Sequence, residues 1–93
     1  MQIRYYLDEE TGLPHIWSHG IDEQEVEEII ARPAAILPGR RDAQEALGQT
    51  RAGRYLRVVF VPDPEPDSIF VITAYELTGK ALKAFRRHRR KRR

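Results

Sequence analysis

Cysteine is absent from this chain, so no disulfide can staple the fold and no thiolate can hold a metal. Missing too is any apolar run near the roughly 18 residues that a membrane-spanning helix needs. The opening stretch, Met1-Gln2-Ile3-Arg4-Tyr5-Tyr6, has no apolar signal core. These absences predict a soluble, cytoplasmic protein with no membrane partner, and nothing in the sequence calls for a cofactor. At 93 residues there is room for one core and not two. A chain of this size buries somewhat over ~60% of its unfolded surface, enough to fold alone with little to spare.

A third absence is of acid at one end. Residues 80–93 hold nine Arg/Lys and no Asp/Glu, whereas residues 1–79 hold seven Arg/Lys against fourteen Asp/Glu. The net charge of +2 therefore hides a separation of −7 from +9. Separation on this scale points to an anionic partner or to acidic protein surface. Thirteen of the sixteen cations are arginine, the side chain shaped for bidentate phosphate contacts.

Period-two alternation of Ile3, Tyr5 and Leu7 predicts a strand over 2–7, followed by a turn at 8–12. Residues 13–19 read two ways: a short helix started by Pro14 and stopped at Gly20, or an extended segment. The helix at 22–32 is the clearest element. Asp22 and Glu25 form a capping-box pair, Ile21 and Val26 a hydrophobic staple, and Pro33 ends the helix. Val26, Ile29 and Ile30 share its inner face, with Glu23, Glu27 and Glu28 toward solvent. A loop over 33–42, turning at Pro38-Gly39, leads to three strands at 43–50, 54–61 and 68–75. Short connections make these an antiparallel meander. The last helix starts near Thr78 and docks through Ala81, Leu82 and Phe85. Trp17, Phe60, Phe70 and Phe85 are expected in the core. The domain spans 1–85, and 86–93 is a basic extension of the last helix.

His19-Gly20-Ile21 before an acidic capped helix, then Leu47-Gly48-Gln49-Thr50, Gly53-Arg54 and Ile72-Thr73-Ala74-Tyr75, resemble in order and spacing the RelE/BrnT-like toxin superfamily. The closest likeness is to a small sub-family of unknown function, and it covers roughly residues 2–85. The resemblance implies an α+β fold, with a curved antiparallel sheet formed by the 43–75 meander and the N-terminal strand, and helices packed on it. It also implies a metal-independent endoribonuclease toxin of a type II toxin–antitoxin system. Its partners would be RNA, including ribosome-bound mRNA, a cognate antitoxin, and a second copy of the chain. BrnT-type toxins tend to carry a basic residue after the small residue of the last strand, where this chain has Tyr75-Glu76.

Metal-free RNA cleavage needs a base for the 2′-hydroxyl proton, cations for the phosphorane charge, and an acid for the leaving oxygen. His19, Arg54 and Tyr75 are the catalytic candidates. Each also has a plainer reading: an ordered turn before Gly20, a solvated strand-end charge, and a buried tyrosine with a satisfied hydroxyl. Arg40 and Arg41 in a mobile loop, Arg57 on the opposite strand face from Arg54, and Lys80, Lys83, Arg86, Arg87, Arg89 and Arg90 are the nucleic-acid-binding candidates. Residues 83, 86, 87 and 90 fall on one helical stripe that could follow a phosphate backbone or an acidic protein partner. His15 and His19, four apart, would share a helix face, but no neighbouring acid completes a metal-binding pattern. The alternative to catalysis is a non-catalytic module on the same fold that binds nucleic acid or a protein partner.

Overall fold

Helix α1, Glu23–Ala31, starts where its cap is written. The Asp22 carboxylate accepts from the Glu25 N–H, and the Glu25 side chain accepts from the Asp22 N–H. Ile21 and Val26, flanking the cap, are both buried. The computed structural model describes residues 1–91, with side chains described through residue 88. Five strands accompany α1: β1 (Gln2–Tyr5), β2 (Ala35–Pro38), β3 (Gln44–Gln49), β4 (Tyr55–Pro62) and β5 (Ser68–Glu76). A 3-10 helix, His15–His19, precedes α1, and α2 spans Gly79–Lys91. None of the described helices is long and apolar enough to cross a membrane.

The sheet order is β1-β5-β4-β3-β2. The meander is as expected, but the sheet is mixed rather than antiparallel, because β1 runs parallel to β5. Parallel pairing needs a long connection, which residues 6–67 supply. Side chains hold β1 in register: Arg4 grips Asp63 through Nε (2.8 Å) and Nη2 (3.2 Å) and lies over the Phe70 ring. A second correction concerns residues 33–42. Ala35–Pro38 is an edge strand against β3, a short apolar run whose proline sits at the strand end, where a missing N–H costs no ladder bond.

Opposite residues in register separate the two faces. Ala46, Val58 and Ala74 lie in line on one face, which the 3-10 helix and α1 cover with Ile16, Ile21, Val26 and Ile29. Gly48 allows the close approach of α1, since a Cβ there would stand 3.2 Å from Ile29 Cδ1. On the other face Leu47, Leu77 and Phe85 are buried together, flanked by Tyr55 and Leu82. α2 is thus pinned to the sheet by Phe85, and Ala81, expected to dock, is exposed. Phe60 and Phe85 are core as expected, but Trp17 is 47% exposed and Phe70 half-buried. Leu7 is also exposed, because β1 stops at Tyr5 and the chain turns away through a bridge between Leu7 and Pro14.

Candidate active site and nucleic-acid interface

β1 covers only Ser68–Val71 of β5, and the 3-10 helix packs beside the remainder of β5. Pro14 precedes that helix, and Gly20, in the left-handed conformation at φ 73°, ends it, as a short helix stopped by glycine requires. This brings His19 to Tyr75, with ring centroids 6.2 Å apart. Tyr75 stands opposite Arg57 in register. The Arg57 Nη1 donates to the Tyr75 hydroxyl at 3.3 Å, and its guanidinium lies 5.6 Å from the ring centroid. Arg57 Nε in turn stands 3.5 Å from Glu45 Oε1.

Behind His19 the pair weighed as a metal site is joined by a carboxylate instead. His15 and His19 pack edge to face with centroids 5.1 Å apart, and Tyr6 packs edge-on against His15. His15 Nδ1 is 2.8 Å from Asp8 Oδ1. A carboxylate only accepts, so His15 Nδ1 carries the hydrogen of this bond. Asp8, His15, His19, Tyr75 and Arg57 therefore form one chain of contacts. Among the described residues no group of three His, Asp or Glu side chains is set to hold a metal ion.

Arg54 is elsewhere. Its Nη1 donates to the Gly20 carbonyl (3.0 Å) and to both oxygens of Glu25 (3.0 and 2.8 Å), and its Nη2 to Glu76 at 3.4 Å. Burial works against its charge, but the bonds and charges of Glu25 and Glu76 outweigh this and raise its pKa above the ordinary value. The position proposed for a phosphate is taken by protein carboxylates. Arg54 instead ties the end of the 3-10 helix and the start of α1 to the sheet, which fixes His19. The same contact disposes of Glu76, which points to the α1 face and is paired there, away from Tyr75.

Arg40 and Arg41 sit on a tight turn closing the β2–β3 hairpin. Gly39 N–H donates to Ala43 O and Ala43 N–H to Arg40 O, and Arg41 and Asp42 both adopt positive φ (51° and 67°). Both arginines are exposed and line a cavity of about 550 Å³ with Ala43, Glu45, Arg57, Val59, Ile72 and Tyr75. Glu45, Arg57, Val59 and Tyr75 share the sheet face that carries α2. On α2, Lys80, Lys83, Arg86 and Arg87 are exposed, and Arg86 lies over the Tyr55 ring at 4.9 Å. Among the described residues none of these four makes an ion pair. The side chains of Arg89 and Arg90 lie outside the described residues.

A cluster of Asp8, His15, His19, Tyr75 and Arg57 thus adjoins a cavity lined by three arginines, with a basic helix on the cavity's face of the sheet, all on a small α+β domain. Residues 17–76 match the family described as Domain of unknown function (DUF4258), and the chain belongs to that family. The match takes in His19, Arg40, Arg41, Glu45, Arg57 and Tyr75, and leaves β1, Asp8, His15 and α2 outside it. No curated protein and no solved structure matches the chain. Sequence reasoning missed Asp8 and Glu45, and weighed His15 only as half of a metal pair with His19. Glu45 had a signal, since alternation through Glu45 and Leu47 opposite Val59 and Arg57 puts it on the Arg57 face.

Proposed function

We propose that this protein is a toxin-like endoribonuclease on a RelE/BrnT-like fold, cutting cytoplasmic mRNA without a metal and restrained by a cognate antitoxin. The observation carrying this reading is the convergence of Arg57 on the Tyr75 hydroxyl at 3.3 Å with His19 beside the same ring. In the reaction the substrate 2′-oxygen attacks the adjacent phosphorus while His19 takes its proton. Arg57 offsets the charge gathering on the phosphorane oxygens, a job that preorganised donors do well. The P–O5′ bond then breaks, and the Tyr75 phenol gives its proton to the departing oxygen. The products are a 2′,3′-cyclic phosphate and a 5′-hydroxyl. Asp8 and His15 hold His19 in place, and the basic α2 face gathers the phosphate backbone by counterion release.

The test uses protein free of antitoxin, with free RNA and with ribosome-bound mRNA, in excess EDTA. Cleavage should survive EDTA and fall by about 10²–10³ in Arg57→Ala, as for loss of one charge-stabilising donor. Tyr75→Phe should fall comparably, with the fold checked by circular dichroism. One observation favours the second reading, a non-catalytic nucleic-acid-binding module: Arg57 already has Glu45 beside it. Tight RNA binding with no products on either substrate would establish that reading instead.

A further inference from the structure

Glu45 is the one carboxylate in a cavity otherwise lined by cations and apolar side chains. Its side chain is 24% exposed, and among the described residues no N–H or O–H donates to it. The 3.5 Å approach of Arg57 is an ion pair without a completed hydrogen bond, and Arg57 Nε, although buried, has no hydrogen-bond partner. A carboxylate has roughly four acceptor positions, and Glu45 lines the cavity beside Arg57, where it can accept from the N–H groups of a ligand. The rest of the cavity suits a nucleobase. Tyr75 offers an aromatic face for stacking, while Ala43, Val59 and Ile72 give apolar walls. Arg40 and Arg41 stand at the exposed turn, where a flanking phosphate would lie. About 550 Å³ falls within the range of small-ligand pockets.

We propose that this cavity is a base-reading pocket in which Glu45 selects guanine in single-stranded RNA. The selection follows from donor placement. Guanine presents N1–H and an N2 amino hydrogen side by side, matching the two oxygens of one carboxylate. Adenine and cytosine present a single amino group beside a ring nitrogen acceptor, which the carboxylate repels. Uracil presents one N–H between two carbonyls. The inference rests on the RNA reading of the same face and names which RNA. The plainer role for Glu45, balancing the Arg57 charge, predicts no dependence on base identity.

The experiment measures fluorescence anisotropy with labelled short oligouridines bearing one central guanosine, adenosine or inosine, each with a 2′-deoxy sugar at that position to block cleavage. The full-length protein should bind the guanosine oligomer about tenfold tighter than the adenosine one, the scale of a bidentate base contact. Inosine, which lacks the 2-amino group, should lose most of that gain without any change to the protein. In Glu45→Gln the guanosine-to-adenosine ratio should fall to near one. Equal wild-type affinity for all three overturns the inference and leaves the RNA reading standing. A guanosine preference that persists in folded Glu45→Gln overturns the assignment to Glu45. No binding of any oligomer overturns the RNA reading and this inference with it.

Discussion

Two arginines three positions apart, one just before β4 and one within it, illustrate how little residue type says about role. Their side chains lie on opposite sides of the sheet. Arg54 then meets Glu25, Glu76 and the Gly20 carbonyl, and Arg57 meets Tyr75 and the cavity. Arg54→Ala should therefore lower stability by about 1–3 kcal/mol, the scale of charged hydrogen bonds, toward the lower end because the guanidinium is about a third exposed. Its folded molecules should cleave RNA far better than those of Arg57→Ala, and chemical denaturation run beside the cleavage assay separates the two roles. Tyr5 gives a pH test. Burial, then the charges of Glu27, Glu23 and Asp22, push its phenol up to about 12. The unfolded chain ionises first, so its stabilising contribution is complete below about pH 10 and lost as pH rises through about 12. Between those values Tyr5→Phe should lose less stability than the wild type, measured by denaturation across the alkaline range.

Among the elements, α1 was readable residue by residue because its cap, staple and stop are local chemistry. Asp22→Ala should cost about 1 kcal/mol through the cap. Ile29→Ala should cost about 2–5 kcal/mol through the cavity it leaves beneath Gly48, and urea denaturation near-neutral for this variant would show that the helix presents another face. The Gly20 stop was equally visible, which made the helical alternative for 13–19 the right one. What could not be read was pairing. The alternation in β1 announces a strand but not that its neighbour is β5, since partner choice is settled by tertiary contacts such as Arg4 with Asp63. β2 was hidden because four apolar residues between prolines carry too little periodicity to separate a strand from a loop. The site divides in the same way. His19 and Tyr75 were marked by local features, whereas Asp8 and His15 meet only because the 8–14 turn folds back on itself.

At the scale of the molecule, charge and shape go together. The acidic helix α1 covers one sheet face, and the basic helix α2 stands on the other, the face that holds the cavity. Deleting Arg86–Arg93 should leave the fold intact, since Leu82 and Phe85 remain to seat the helix. RNA affinity should weaken and its salt slope flatten, because each lost phosphate contact removes about 0.7–0.9 of a released counterion. Titrating affinity against salt for the full and shortened chains measures this directly, and an unchanged slope would move the binding surface off α2.

The parallel pairing of β1 with β5 has a consequence for how the chain assembles. Neighbouring strands of the meander close short loops and can form as soon as they exist, whereas β1 can add only to a strand that lies more than sixty residues later in sequence. Closing so long a loop is entropically the most expensive step of the fold, and contacts of that separation form late. Until it closes, the edge of β5 stands open and the chain after β1 has no anchor on the sheet, since Tyr6 is tied to Val71 by its N–H. The segment carrying His15 and His19 follows Tyr6 directly. His19 therefore meets Tyr75 only when β1 is joined to β5, so on a ribosome the cluster stays apart until β5 has emerged.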